Sequence, residues 1–353
     1  MTKAAPYSDK ILNEYGPQRT FSGPDLLQIA MPLGGLGTGN VCLNGYGGLQ
    51  DFAIRNHPAT TAMPDAHASQ DAAFAILHIK GKNPVTKLVE GPFPSEKIYS
   101  VGTRSQGYRG GGHEGIPRFA KATFKGEYPF GYLTLSDSDI PLRVHLTGFN
   151  PFIPLDDVNS GIPCAILEYT LENRSKRKVD YEFSYHLSHL VPGDTRGNNR
   201  RPGGRGSRNE VIPGAGVSFS NTEDPNDEGF GSASLTVAGH RPSVKAMWFR
   251  GGWFDSISAL WREVSTGTFK PNSGKDASDL GGRNGGSILL KGSLKPGEKA
   301  TYPVVITWYF PNCHYRGGRV NNQEIAPDCC DDDNAPLWRP FYTTQWEDAR
   351  DVA

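Results

Sequence analysis

A glycine-rich segment near the start of the chain has a composition that could bind phosphate. Residues 34–39 read Gly-Gly-Leu-Gly-Thr-Gly. A Walker motif needs Lys where Asn40 stands, a dinucleotide fingerprint needs Gly there, and both need a helix to follow. Instead, residues 40–43 have a strand pattern that runs into a turn at 44–48. We interpret these glycines as residues of tight turns or close backbone approach, not as a nucleotide site.

Arginine is concentrated in one loop, where it could contact phosphate groups. Residues 196–208 alternate Arg with Gly and Asn and contain no aromatic residue. Proteins that bind single-stranded nucleic acid also need aromatic platforms for the bases. The pattern therefore favours a solvated or domain-facing loop, and we expect no nucleic acid partner. The arginines are Arg196, Arg200, Arg201, Arg205 and Arg208.

Two groups of residues contain metal-ligand types. His186 and His189 point to opposite faces of an extended strand, so we do not expect them to chelate one ion. Residues 328–334 read Asp-Cys-Cys-Asp-Asp-Asp-Asn, which mixes hard oxygen donors with soft sulfurs and lacks the glycine of an EF-hand. An acidic solvated turn is the favoured interpretation, and a calcium site is the alternative. We predict no metal site and no cofactor.

The sequence contains none of the common local motifs of nucleophilic or zinc-dependent catalysis. It has no G-x-S-x-G elbow, no H-E-x-x-H helix and no cysteine in a known nucleophile signature. Carboxylates are abundant, but the sequence does not show which two could face each other across a sugar. The residues alone therefore predict no reaction.

The composition indicates which kind of element must position these residues. Gly and Pro contribute 43 and 27 of the 353 residues, a share typical of turn-rich, many-stranded proteins. The 37 basic and 37 acidic side chains cancel, so no net field attracts nucleic acid or a membrane. No apolar run reaches the roughly 18 to 20 residues of a membrane span, and no signal peptide is recognisable. We expect a soluble, cytoplasmic chain whose five scattered cysteines are reduced.

Alternating apolar and polar residues predict half-buried strands along much of the chain. The polar turn at 173–176 predicts that the strands on either side of it pair as an antiparallel hairpin. Helical periodicity is nearly absent before residue 340. The predicted fold is all-β, a large antiparallel β-sandwich with two extensive sheets. The alternation is clearest at 142–146, 167–172, 181–187 and 301–310.

Long loops and a terminal helix complete the prediction. Three segments rich in Gly and polar residues, at 107–115, 191–210 and 273–286, predict long surface loops. Thr344, Gln345, Trp346 and Glu347 have the form of a capping box, which predicts that a C-terminal helix starts there. A helix with so few residues left is marginal without a partner to pack on. We expect a domain boundary here, and a frayed terminal helix is the alternative.

An ordered set of short motifs extends along almost the whole chain. They are Met-Pro-Leu-Gly-Gly-Leu-Gly-Thr-Gly at 31–39, Gly-Leu-Gln-Asp-Phe at 48–52, Asn-His-Pro at 56–58, Phe-Lys-Gly-Glu-Tyr-Pro-Phe at 124–130, Phe-Asn-Pro-Phe-Ile-Pro-Leu at 149–155, Leu-Lys-Pro-Gly-Glu at 294–298, Trp-Tyr-Phe-Pro-Asn at 308–312 and Trp-Glu-Asp-Ala-Arg-Asp-Val-Ala at 346–353. Taken in this order, residues 25–353 resemble the N-terminal domain of glycoside hydrolase family 116, the family of bile-acid β-glucosidase (non-lysosomal glucosylceramidase). The chain departs from the family pattern at Phe52, where many members have Trp, and at His57, where Arg is common.

The resemblance implies a division of labour between two domains. A C-terminal (α/α)6 barrel would follow the sandwich and carry a Glu nucleophile and an Asp acid/base for retaining hydrolysis of β-glucosides. Neither motif lies in this chain, so we assign it no catalytic residue. The implied organisation is a lead-in at 1–24, the sandwich at 25–340 and an exit segment at 341–353. The implied partners are the barrel, in the same polypeptide or a partner chain, and through it a β-glucoside or glucosylceramide-like substrate.

Within that scheme, we expect the first two Gly-rich loops on the side of the sandwich that docks the barrel. Ordering such loops costs conformational entropy, which a domain interface can offset. Mobile solvent loops are the alternative. The residues expected in the substrate cleft or docking side are His113, Glu114, Arg200 and Arg205.

Two further functions remain open from the sequence. A stand-alone carbohydrate-binding sandwich would need a row of exposed aromatic residues, for which Trp248, Trp253 and Trp261 are the candidates, although we favour their burial in the core. A structural or assembly protein could also use the sandwich without a barrel.

Overall fold

Strands dominate the part of the chain that the structure describes. The computed structural model describes residues 8–14, 19–56, 71–92, 113, 115–193, 203–204, 206–249, 255–274, 284–314, 318–320, 323–325 and 337–353. The strands are β1 (Thr20–Ser22), β2 (Ala30–Leu33), β3 (Asn40–Asn44), β4 (Leu49–Ala53), β5 (Ala73–Ile79), β6 (Val85–Leu88), β7 (Lys121–Glu127), β8 (Phe130–Ser136), β9 (Leu142–Phe149), β10 (Cys164–Asn173), β11 (Val179–Ser188), β12 (Arg208–Ile212), β13 (Gly216–Ser220), β14 (Ser232–Val237), β15 (Ser243–Lys245), β16 (Gly285–Leu294), β17 (Lys299–Tyr309), β18 (Cys313–His314), β19 (Gly318–Val320), β20 (Gln323–Ile325) and β21 (Leu337–Trp338). The helices are α1 (Asp9–Leu12), α2 (Asp157–Ser160), α3 (Ser256–Ser265) and α4 (Ala349–Val352).

Two antiparallel sheets form a β-sandwich, which confirms the predicted fold class. The larger sheet has nine strands in the order β1-β7-β8-β9-β10-β17-β14-β13-β12, and the smaller has five in the order β15-β16-β11-β5-β6. A third sheet, β2-β3-β4, contacts β10. The alternation predicted at β9, β10 and β17 directs apolar side chains to the inner face of the large sheet and polar ones outward.

Aromatic side chains fill the space between the two large sheets. Tyr169 of β10 contacts Phe183 and Tyr185 of β11, and the Phe183 ring stacks on Tyr302 of β17 with centroids 5.2 Å apart. The hydroxyl groups of Tyr181 and Tyr302 form a buried hydrogen bond of 2.7 Å. Removing one such ring typically costs about 3 to 5 kcal/mol of stability, so these contacts fix how the sheets face each other.

The predicted hairpin around residues 173–176 is wrong. β10 pairs with β9 and β17 in the large sheet, whereas β11 pairs with β5 and β16 in the small one. The turn therefore crosses between sheets, because the apolar faces of β10 and β11 must meet across the core rather than lie side by side. The turn between β16 and β17 crosses in the same way. Asn173 joins both turns, since its backbone bonds Gly297 and Glu298 and its side chain donates to the Leu294 carbonyl.

An additional layer covers the outer face of the small sheet. Helix α3 packs Ile257, Leu260 and Val264 against Phe74 and Trp248. As a result β11 is buried on both faces, not half-buried as its alternation suggested. The described chain before residue 340 has few helices, as expected, but the sequence pattern did not reveal α3. Asp255 caps α3, and its apolar residues at 257, 260, 261 and 264 have helical spacing, but the window is only ten residues long.

The end of the chain confirms a C-terminal helix but not its predicted start. Residues 341–344 form a 3-10 turn in which the Thr344 hydroxyl donates to the Phe341 carbonyl, so Thr344 is not a cap. Helix α4 begins at Ala349, and the Asp348 side chain accepts from the amides of Arg350 and Asp351. The capping-box prediction fails because Asp348, closer to the helix, satisfies the first free amides.

Candidate functional site

One end of the sandwich is fastened by side chains that follow β4 and donate to backbone carbonyls just after β11 and β17. The Arg55 Nε atom donates to the Leu190 carbonyl at 2.6 Å, just after β11. The Asn56 amide donates to the carbonyls of Phe310 and Asn312 at 3.0 and 2.9 Å, just after β17. We call this end, where β4, β11, β13 and β17 finish, the loop end.

Asparagine side chains hold further loops at the loop end. The Asn221 amide, just after β13, donates to the carbonyls of Pro192 and Gly229. The Asn312 amide donates to Asp227 in the loop before β14. An amide with two donors can join two carbonyls of different segments, so these asparagines fix the loop bases relative to one another.

The long loops predicted at 191–210 and 273–286 have their bases side by side at this end. The Asn209 and Asn284 side chains bond each other at 2.9 and 3.0 Å, and Asn209 also donates to the Ala246 carbonyl. The His189 amide donates to the Asn284 carbonyl at 2.9 Å. Both loops therefore leave the sandwich from one place. This asparagine pattern was not recognised in the sequence, because its partners are backbone groups far away along the chain.

Large apolar side chains are exposed on an adjoining surface. A leucine at residue 155 is fully exposed and has φ 69°, a left-handed conformation that is rare for leucine. Water disfavours such a patch, and contiguous exposed apolar groups usually mark a binding surface. We call it the apolar end surface. Its members are Leu36, Tyr128, Phe152, Ile153, Leu155, Val158, Trp338 and Phe341.

Two groups of contacts lie within the apolar end surface. A shallow depression of about 170 Å³ is lined by Leu36, Val158, Trp338 and Phe341, together with the single carboxylate Asp157. The Leu36 amide donates to the Ser160 carbonyl at 2.7 Å, and the ring centroids of Tyr128 and Phe152 are 5.5 Å apart. Glycoside hydrolysis needs two carboxyl groups, so this depression can bind but lacks that catalytic pair.

Polar groups hold the apolar loop of this surface in shape. The Ser160 hydroxyl donates to the Ile153 carbonyl and accepts from its amide. The Asp156 side chain caps α2 by accepting from the Asn159 amide. The exposed side chains at 152–158 are therefore carried on a loop that its own hydrogen bonds hold in shape.

Helix α4 is fastened to the outer face of the large sheet. The Thr307 hydroxyl donates to the Ala349 carbonyl at 2.6 Å, and the Ala349 amide donates to the Ser232 hydroxyl at 2.9 Å. Arg350 donates to the Ser218 hydroxyl and pairs with Glu210. Nearby, the Tyr342 hydroxyl bonds the Phe310 backbone. The exit segment is thus attached to the loop end and borders the apolar end surface.

His113 has a clear place in the structure. Its ring stacks on Phe74 with centroids 4.8 Å apart, and its Nε2 atom lies 3.4 Å from Oε1 of the buried Glu90. The Arg118 Nε atom lies 3.1 Å from the other Glu90 oxygen. Burial alone would raise the pKa of Glu90, but Arg118 and His113 hold it at about 2. This position supports the local fold, and a docking or cleft role for His113 stays a prediction.

The other predicted docking residues, Glu114, Arg200 and Arg205, lie outside the described residues, as do Trp253 and the acidic segment at 328–334. The expected grouping of His113 with the arginine loop therefore stays a prediction. Among the described residues, no cluster of three or more His, Cys, Asp or Glu could hold a metal ion. His186 bonds Ser184 and Ser287, whereas His189 bonds the Arg208 carbonyl, so the two histidines have separate partners.

The interpretations of the glycines and of Trp248 are confirmed. Trp248 is buried beneath α3 and donates to the Ser287 hydroxyl, and Trp261 is partly buried on the same cluster. A Cβ atom at Gly34 or Gly39 would lie 2.3 or 2.4 Å from a backbone carbonyl oxygen, so these glycines permit close approach. Of the three candidate tryptophans, the two with described positions therefore do not form an exposed row for a sugar.

Comparison with known protein families gives a match that covers most of the chain. The sequence profile of a family described as beta-glucosidase 2, glycosyl-hydrolase family 116 N-term, matches residues 30–353. No protein with a curated function matches the chain. Where the fold is described, no helix has the length and apolar content needed to cross a membrane.

Several solved structures resemble the fold at low sequence identity. A GH36 α-galactosidase from Geobacillus stearothermophilus has 12% identity and a TM-score of 0.33, and the match covers 84% of this chain and 41% of that one. A galactose mutarotase-like protein from Clostridium acetobutylicum has 7% identity and a TM-score of 0.31, with 83% and 98% covered. At these scores the likeness carries no argument about function.

Proposed function

Because the chain belongs to glycoside hydrolase family 116 as its N-terminal domain, we propose that it docks and stabilises the catalytic domain of that family. The proposal assigns the contact to the apolar end surface and the chemistry to the partner domain. The observation that carries it is the exposed apolar group around the depression beside the exit segment, with Leu36, Val158, Trp338 and Phe341.

The energetics favour a covered surface. Burying one leucine, valine or phenylalanine side chain contributes about 1.5 to 3 kcal/mol, so a few of these residues suffice to hold two tethered domains together. Tethering raises the effective concentration of the partner, so even a weak interface forms. Because the loop around α2 is held by its own hydrogen bonds, docking requires little further ordering.

The family description suggests the reaction that the whole protein performs. The matched family is described as beta-glucosidase 2. We propose that the partner domain hydrolyses a β-glucoside or glucosylceramide-like substrate, and that this domain lends loops from the loop end to its cleft. We also propose a cytoplasmic location, which the free cysteines Cys42, Cys164 and Cys313 support.

A substitution in the apolar end surface tests the proposal. Leu155→Asp introduces a residue that tolerates the left-handed backbone conformation of this position. It also places a charge where the partner domain should pack. In a polypeptide that joins this domain to its catalytic domain, we expect faster thermal loss of aryl β-glucoside turnover. The control is Ile11→Asp, which changes an exposed apolar residue on α1.

The isolated 353-residue chain provides the baseline for this experiment. It should show no turnover, and its melting temperature should be the same with and without Leu155→Asp, because that side chain is fully exposed. Equal inactivation rates for wild type, Leu155→Asp and Ile11→Asp in the joined polypeptide would contradict docking through this surface. Turnover by the isolated chain would contradict the assignment of the chemistry.

A further inference from the structure

Part of the outer face of the large sheet is open and carries aromatic residues. Strand alternation directs Phe130 and Tyr132 of β8 and Phe149 of β9 outward, since their neighbours Gly131, Leu133 and Gly148 are buried. Phe130 and Tyr132 are each 37% exposed. Helix α4 lies over β13, β14 and β17, and among the described residues it does not cover this part of the face.

The rings on this face are close and well aligned. The Phe130 and Tyr132 planes are 15° apart with centroids at 6.0 Å, and the Phe130 and Phe149 centroids are 5.5 Å apart. Together they form a continuous aromatic surface about as wide as two adjacent strands.

A row of polar groups borders the aromatic surface. Tyr132, Thr147 and Glu168 are directly paired across β8, β9 and β10, so neighbouring residues are about 5 Å apart. Each is at least partly exposed, and in the described part of the chain none of their side-chain oxygen atoms has a hydrogen-bond partner.

In the next outward-facing row of the same sheet, the polar side chains bond one another. There, Thr134 bonds His145 at 3.3 Å, and Thr170 bonds Thr301 at 2.9 Å. These groups satisfy one another, as polar residues on a plain solvent-facing sheet commonly do. The Tyr132 row differs because the hydroxyl groups of Tyr132 and Thr147 and the carboxylate of Glu168 are available to bond a ligand.

We propose that this face, formed by Phe130, Tyr132, Phe149, Thr147 and Glu168, binds neutral pyranose saccharides. The C–H face of a pyranose ring packs on an aromatic ring, and a carboxylate accepts hydrogen bonds from two adjacent sugar hydroxyls. The hydroxyl groups of Tyr132 and Thr147 donate or accept as the sugar requires. No bond is made or broken. This site goes beyond the docking role, since it uses a different surface and does not need the catalytic domain.

The expected affinity is low. The site is a flat surface rather than a pocket, so bound saccharide keeps most of its contact with water and the dissociation constant should be about millimolar. Such a site holds an oligosaccharide or a sugar headgroup near the enzyme instead of selecting it tightly.

Titration of the isolated chain with cellotetraose, followed by saturation-transfer NMR, tests the proposal. We expect saturable binding that Tyr132→Ala weakens about tenfold, and that Glu168→Ala also weakens. Glu172→Ala is the matched control, because Glu172 lies on the same strand and face but already bonds His145 and Arg174. Mannitol, which has the hydroxyls but no ring, should not bind.

Three results would overturn the proposal. The first is the absence of saturable cellotetraose binding by the wild-type chain. The second is unchanged binding in Tyr132→Ala when its melting curve shows a folded protein. The third is loss of binding once the domain is joined to its catalytic domain, which would assign this face to the domain interface. None of them bears on inactivation of the Leu155→Asp variant, so docking and saccharide binding are tested separately.

Discussion

At the residue scale, His186 is a fully buried histidine whose two ring nitrogens both have partners. Its two ring nitrogens lie 2.8 Å from the hydroxyls of Ser184 and Ser287, and Trp248 donates to the same Ser287 hydroxyl. Burial lowers the pKa of His186 to about 3. A serine beside a histidine can suggest a nucleophile, but all four residues are buried beneath α3, so the network is structural.

This burial makes a prediction about pH. The folded pKa of His186 lies below its unfolded value of about 6.5, so acid protonates the unfolded chain first. The contribution of His186 to stability is therefore complete above about pH 6.5 and falls by up to about 1.4 kcal/mol per pH unit toward pH 3. We expect His186→Gln to flatten the dependence of the melting temperature on pH between 6.5 and 4 in calorimetry. The same slope in His186→Gln as in the control His240→Gln, which changes a partly exposed histidine, would refute this.

Single residues also show what a sequence can reveal at this scale. Asn40 and the glycines around it argue against a nucleotide site, because the required motif positions are local. The roles of Asn56, Asn209 and Asn312 were not predictable, since each amide bonds a carbonyl that only the folded chain brings near.

At the element scale, alternation predicted strands well but not their partners. β9, β10, β11 and β17 lie where the pattern placed them. A short polar turn, however, suits a hairpin within one sheet and a crossing between two sheets equally well. Which one forms depends on how the apolar faces of β10 and β11 meet across the core, a tertiary property. Helix α3 was missed because its single apolar stripe covers too few turns to stand out.

The attachment of α4 gives a prediction at this scale. Thr307→Val removes the hydroxyl that bonds the Ala349 carbonyl and Ser234, so it should destabilise the chain by about 1 to 3 kcal/mol and speed hydrogen exchange in α4. Thr301→Val is the control. Thr301 lies on β17 like Thr307, and its substitution breaks a similar hydroxyl pair, with Thr170 of β10. If α4 exchanged equally fast in both variants, the Thr307 contact would not be what holds this helix.

At the scale of the whole molecule, the resemblance of ordered motifs identified the family, and the profile match over residues 30–353 confirms it. The sequence could not reveal the apolar end surface, because its members come from four separated segments and each segment alone resembles an ordinary loop. Leu155 illustrates this: the motif at 149–155 was recognised, but its full exposure depends on the fold around it.

The central claim is that the apolar end surface packs against the catalytic domain. Hydrogen exchange by mass spectrometry compares the isolated chain with the polypeptide that joins both domains. We predict slower exchange in the joined protein for peptides spanning 150–161 and 337–345, with peptides from the β10–β11 turn unchanged as an internal reference. Equal exchange at 150–161 and 337–345 in the two proteins would contradict the claim.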